Sequence, residues 1–421
     1  MKDPDSDLHP SSRHSPPEPT LTVAPPASPG GTTDTKPVDA SIDLLEAWQI
    51  SPSTHAQILH TSILPAELYP FLPSKTPSPS SSSSSNTKPL AVLVLGQTGA
   101  GKTRLAPLLL RAMQQQQQQQ QQQCPSSSSP NGPLLKPLHL IADTFKTYHP
   151  FYSTCLATAP HLASQLASRD AAEWLLEVCC AAAGRRARRV LVETACRKRP
   201  GPGPGHGAGG ETQNSYFERL VRVFSDKGYS VRVVILAVPA ALSRLGILVR
   251  YYKRLPEAGS RWGLPVRLTP RAVHDLSYEG LAEAVGWLDH HHHHHGGGEK
   301  DGEGKGGVER VVVVRRNGRV VYDANGESGV DDGGRWKKEK KGEAGGALRA
   351  LEAERTRGLS VGERKAAEED IAMLKGLGEP GVMKQAEEIQ GLIDELGIWE
   401  DGASPDMVQF DVEDFVSNGV S

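Results

Sequence analysis

Aromatic residues are scarce in this 421-residue chain (5%), cysteines number only five, and neither sign of charge is in excess, with 47 basic side chains against 49 acidic. Each shortage excludes something. A near-neutral balance excludes the strong positive field of a whole-chain nucleic-acid or membrane-surface binder. No apolar run reaches the ~18 residues of a bilayer span. The stretch MKDPDSDLHPSSRHSPPEP lacks the apolar segment of a secretion signal. An odd number of cysteines without a CxxC pair indicates free thiols in a reducing compartment. These absences lead to the expectation of a cytoplasmic protein with no membrane partner. The length would allow two domains of ~150 residues. However, only 37% of residues are hydrophobic, and 43 Gly and 32 Pro dilute them, so much of the chain cannot bury a core.

What is present is unevenly distributed. Residues 1–40, rich in Pro, Ser and Thr, read as a disordered tail. In 41–88, Ile42, Leu44, Leu45, Trp48 and Ile50 recur at helical spacing. They predict a short helical preface, capped by Ser41 or Asp43, closed by Pro65 and Pro70, and followed by a Ser-rich linker. Continuous apolar runs then appear: LAVLVL (90–95), LHLIA (138–142), VLV (190–192), VRVVILAV (231–238) and VVVV (311–314). Such runs mark strands buried on both faces. Helical patterns at 170–183, 216–227, 240–252 and 271–288 alternate with them, which predicts a parallel α/β sheet over residues 89–324. Low-complexity insertions at 114–133, 200–210 and 290–307 read as loops between elements. The six histidines His290–His295 read as part of such a biased loop rather than as a metal site. Residues 325–421 read as a linker and a peripheral helical tail, broken near Pro380.

Gly96-Gln97-Thr98-Gly99-Ala100-Gly101-Lys102-Thr103 matches G-x-x-x-x-G-K-[ST] directly after the first strand. Glycines let backbone N–H groups converge on phosphate oxygens, and the following helix adds its positive end. Lys102 would reach the β- and γ-phosphates, and the Thr103 hydroxyl would ligate Mg²⁺. The motif makes the expected core a P-loop NTPase-type three-layer one with a mostly parallel sheet. Gly205–Gly210 also fits G-x-G-x-x-G, but lies in a Pro/Gly insertion well beyond its strand. A guanine-reading N-K-x-D element is missing, and the D-x-x-G match at Asp323–Gly326 comes far too late to read a γ-phosphate. GTPase chemistry is therefore disfavoured, and a small-molecule kinase, an ATPase motor or a loop-only binding module remains.

Three features favour the kinase. Asp143 ends the second strand, where a carboxylate can deprotonate an acceptor hydroxyl. Glu193 ends the third, with Arg197 four residues on. Arg250 and Arg267 flank a loop with Pro256, Gly259 and Gly263, and cations on a flexible stretch suit a closing lid over a transferring phosphoryl group.

Together, GQTGAGKT, ADTFKTYHPFY (142–152), LVETACR (191–197), KGYSVRVVILAVPAALSRLGILVRYYKR (227–254) and RLTPRAVHD (267–275) resemble the zeta toxin domain. Eukaryotic, especially fungal, proteins carry similar domains, and a member of that type is expected. It implies an ATP- and Mg²⁺-dependent kinase acting on the 3′-hydroxyl of UDP-N-acetylglucosamine. In that family Asp143 corresponds to the base, Lys102 and Thr103 to phosphate and magnesium ligands, and Arg250 and Arg267 to phosphate-holding arginines. Glu193 and Arg197 correspond to sugar-nucleotide contacts. The family's E-G-T reads Glu193-Thr194-Ala195 here, which displaces a hydroxyl and puts the acceptor in question. The rival readings are a nucleotide-binding interaction module without catalysis, and a kinase for a nucleoside or RNA end that would use the Arg185, Arg186, Arg188 and Arg189 cluster. That cluster reads more simply as a solvated helix end. A small-molecule partner is expected, a nucleic-acid partner is not, and no protein partner is legible.

Overall fold

Leu90–Leu95 (β1) lies at the centre of a six-stranded sheet, with all six of its residues buried. The computed structural model describes residues 45–72, 88–123, 136–198, 215–254, 268–292, 307–324, 329–330, 336–337, 346–399 and 408–417. The expected tail, the Gly/Pro insertion at 201–210 and Arg267 lie outside them. The other strands are β2 (Leu138–Ile141), β3 (Arg189–Thr194), β4 (Ser230–Leu236), β5 (Val308–Val314) and β6 (Val320–Asp323), in the order β2-β3-β1-β4-β5-β6. All neighbouring pairs are parallel except β5–β6. The apolar runs thus form the expected mostly parallel α/β sheet.

Successive side chains of a strand point to opposite faces, so β1 feeds two cores. Ala91, Leu93 and Leu95 face one that includes Trp174, Phe224 and Leu281; Leu90, Val92 and Val94 face one that includes Leu109, Leu245, Ile371 and Ile389. The helices are α1 (Pro52–Ile58), α2 (Lys102–Gln123), α3 (Ala142–Phe145), α4 (Tyr152–Thr158), α5 (Pro160–Leu166), α6 (Ser168–Gly184), α7 (Ser215–Ser225), α8 (Ala240–Arg254), α9 (Arg271–His292), α10 (Gly346–Thr356), α11 (Val361–Lys375), α12 (Pro380–Leu396) and α13 (Val412–Val416), of which α4 and α5 pack instead in a third cluster with Trp48.

Three segments differ from expectation. The preface does not stop at Pro65. Helix α1, capped by Ser51, continues as a π-helical stretch, Leu59–Leu68, that contains this proline. Its i→i+5 bonding replaces the ladder in which a proline would leave a gap. Ile58, Ile63 and Leu68 are buried in the first core, and the Trp174 indole donates to the His55 carbonyl at 3.1 Å while stacking on its ring. The glutamine run is helical too, forming the last turns of α2. Arg189 donates to the Met113 carbonyl (2.8 Å) and to the Gln116 and Gln120 side chains (2.6 and 3.1 Å), tying that helix to β3. Likewise His290–His292 complete α9 instead of forming a loop.

The helices expected to be peripheral are integral. Ile371 and Leu374 of α11, and Val382, Ile389 and Ile393 of α12, share the second core with β1. A capping box between Ser360 and Glu363 starts α11. Arg232, buried on β4, donates to the carbonyls of Phe415 and Ser417, which fastens α13 to the sheet.

Candidate active site

Strand register brings the motif residues to one edge. Leu95 pairs with Thr194, and Ile141 with Glu193. The P-loop, Asp143 and the 194–198 segment therefore leave the sheet at the same carboxyl end. They line a cavity of about 1520 Å³, together with residues of α6, α8, α9 and α11.

Within the loop, Gly99 and Gly101 have φ of +83° and +100°, which L side chains rarely adopt. A Cβ on Gly99 would also collide with the Ser243 carbonyl of α8. Thr98, Gly99, Gly101, Lys102 and Thr103 face the cavity. Gln97 does not: its side chain is buried and donates to the Val238 carbonyl at 2.7 Å, so it secures the loop to the end of β4. Ala100 is likewise buried, in the second core, and Gly96 contributes its carbonyl to Lys102.

The Lys102 ammonium donates to the Gly96 and Gln97 carbonyls at 2.6 and 3.3 Å. Burial lowers its pKa, and the opposing fields of Asp143 and Glu193 both reach it. Asp143, half exposed in the cavity, pairs with the buried Lys146 at 2.9 Å. Glu193 is buried and bonded to His139 of β2 at 2.7 Å; it is thus an interior carboxylate rather than a surface partner of Arg197. Arg197 and Thr194 also line the cavity. Close packing of Gly280 on α9 against the backbone of 196–198 sets where this segment runs. Cys196, beside the site, has its thiol pushed up to about 12 by burial, so it stays protonated and is a poor nucleophile.

Arg250 projects from α8 into the same cavity, near enough to Lys102 for its charge to act on the ammonium. Arg267 lies outside the described residues. Two positions later, Thr269 lines the cavity with a buried hydroxyl that has no hydrogen-bond partner among the described residues.

Four contributors escape a reading of the motifs. Arg316, after β5, donates to the carbonyls of Gly99 (2.5 Å), Ala100 (3.3 Å) and Leu242 (3.1 Å), locking the P-loop to α8. Lys146 and His139 hold the two acidic groups. Ser277 of α9 accepts from the Thr98 amide at 3.1 Å. Lys146 stands inside the quoted DTFK block, but nothing in the sequence links Arg316 to residue 99.

Behind the loop, His274 bridges Ser243 and Asp275, each at 2.8 Å. Burial lowers the His274 pKa, with Arg244 and Arg355 adding to that and Asp275 opposing it. A depressed pKa means the unfolded chain takes up a proton first, so stability is full above the ordinary histidine value of about 6.5 and declines as pH falls below it. Calorimetric melting from about pH 8 down to about pH 5 is expected to show this decline, with a shallower slope in His274→Gln.

The family model for zeta toxin matches residues 78–121, 133–203 and 212–327, more than half of the chain. The chain belongs to the zeta toxin family. A zeta toxin is of P-loop kinase type, a fold serving nucleotide binding and phosphoryl transfer. A solved structure from Streptococcus pneumoniae, described as the PezAT chromosomal toxin–antitoxin system, is similar at 16% identity and a TM-score of 0.45, covering 82% of this chain and 98% of that one. No curated protein matches significantly. Among the described residues no helix of this zeta toxin is long and apolar enough to cross a membrane, and no group of three His, Cys, Asp or Glu side chains is arranged to hold a metal.

Proposed function

We propose that the chain is an ATP-dependent kinase that phosphorylates a hydroxyl of a nucleotide sugar, with the 3′-hydroxyl of UDP-N-acetylglucosamine as the leading acceptor. The observation that carries this reading is the meeting of Lys102, Asp143 and Arg250 around one cavity at the carboxyl edge of the sheet. The loop fits a polyphosphate: its glycines leave a cradle that side chains would fill, at the start of a 22-residue helix whose positive end faces it.

In this mechanism the loop amides and Lys102 hold the β- and γ-phosphates. Asp143 takes the proton of the acceptor hydroxyl. The oxygen then bonds to the γ-phosphorus as the bond to the β–γ bridging oxygen breaks, releasing ADP. Arg250 and Arg267 hold the charge spread over the transferring oxygens. Thr103 would hold Mg²⁺, which when bound offsets charge on the β- and γ-oxygens. Glu193, kept in place by His139, and Arg197 position the sugar nucleotide. With Ala at 195, Thr194 supplies the hydroxyl nearest to the family's E-G-T position.

Labelled ATP, Mg²⁺ and a panel of UDP-sugars test the reading. A phosphorylated UDP-N-acetylglucosamine product is expected. Nucleotide binding without product on any hydroxyl acceptor would overturn it and leave a binding module.

A further inference from the structure

The cavity is far larger than a triphosphate requires, and one end of it is built by residues beyond the last position that the family model matches, 327. Glu363, Ala366, Ala367 and Asp370 of α11 line it, as do Arg316 and the α8 side chains Leu245 and Val249. Ala366, small and exposed, stands one helical turn from both Glu363 and Asp370 and lines the same cavity as Arg316. Asp370 is held by Lys253 of α8 at 3.0 Å, and its charge, with that of Glu363, reaches Arg316. Glu363 is already engaged by both nitrogens of Arg357 at 2.7 and 2.6 Å, so Asp370 is the carboxylate available to a ligand on this wall.

Resting on the phosphoryl-donor reading above, we propose that α11 is a wall of the donor's base and ribose subsite. In it a planar heterocycle stacks between Arg316 and the Ala366 face, and Asp370 accepts a hydrogen bond from a ribose hydroxyl or an exocyclic amine. Three things place the ligand's base here rather than its acceptor. Arg316 touches the outer side of the P-loop through Gly99 and Ala100. The acceptor-side groups Asp143, Glu193 and Arg197 lie at or just beyond the carboxyl ends of β2 and β3. Finally, flat cations and small apolar side chains together favour a π-face. Helix α11 thus does more than brace α8: it holds the base end of the nucleotide.

The test is calorimetric titration of the full chain with Mg-ATP and, separately, with inorganic tripolyphosphate, which has the phosphates and no base. Ala366→Trp, which adds bulk on this face of α11, is expected to weaken ATP about tenfold or more while tripolyphosphate stays within about twofold. Asp370→Ala should weaken ATP in the same selective way. Retained tripolyphosphate binding also reports that each variant is folded. Unchanged ATP affinity in both variants, or equal weakening of both ligands, overturns the proposal. So does a wild-type chain that binds the two ligands equally, though that result leaves phosphoryl transfer standing. A wild-type chain that binds neither removes the kinase reading along with it.

Discussion

Asp143→Asn is expected to lower kcat by about 10²–10⁴-fold while leaving the affinity for Mg-ATP within a few-fold of wild type. The amide keeps the size of the carboxylate but cannot accept the acceptor's proton, and the loop that holds phosphates is untouched. Lys102→Ala should behave differently. It removes the ammonium bonded to the Gly96 carbonyl at 2.6 Å, the cation proposed to meet the β/γ oxygens. Turnover is then expected to fall by about 10²–10³-fold, with nucleotide affinity falling as well. Product formation and ATP titration on both variants separate base from anchor. Wild-type turnover in Asp143→Asn would remove the base assignment and with it the mechanism. The Asp143–Lys146 pair at 2.9 Å sharpens the comparison, because Lys146→Met leaves the carboxylate in place without its cation. Removing that one partner of the proposed base is expected to lower turnover while Mg-ATP affinity stays within a few-fold of wild type.

The second large effect is on stability. Arg315 donates to both oxygens of Glu354 (2.8 and 2.5 Å), Arg357 donates to Glu354 at 2.7 Å, and Arg357 reaches on to Glu363. All but Glu363 are buried. Removing one partner of a buried ion network strands the others without water, so Glu354→Ala is expected to cost about 3–5 kcal/mol, read as a lowered denaturation midpoint. Because Arg316 follows Arg315, nucleotide affinity should fall too. The network also gives an acid dependence. Burial alone would raise the Glu363 pKa, but hydrogen bonds and charge from Arg357 outweigh it and hold the group below its ordinary value. That stability is present above the unfolded carboxyl's pKa, about 4.3, and is lost as pH falls through the lower folded value.

The residues behind the two predictions differ in how visible they are in the sequence. Asp143 and Lys102 sit in motifs whose chemistry needs those residue types at that spacing, next to strands recognisable as apolar runs. Parallel pairing then requires their carboxyl ends to share an edge. Glu354, Arg315 and Arg316 have no such signature. They look like ordinary surface charges in a charged stretch, and only packing turns them inward.

The same division runs through the elements. The five parallel strands, the long helices between them, the phosphate loop and the acidic residues at the strand ends followed from the sequence alone, because hydrophobic period and local backbone demand are encoded by near neighbours; the antiparallel edge strand β6 did not. The sequence did not reveal that the glutamine run stays helical, that Pro65 lies within a helical segment, or that α11 and α12 enter the core. Those outcomes depend on partners far away in the chain: Arg189 against α2, Trp174 against the preface, and β1 against Ile371 and Ile389. Burial and long-range hydrogen bonding are properties of the folded arrangement, and only tertiary structure could decide which wall the C-terminal helices would build.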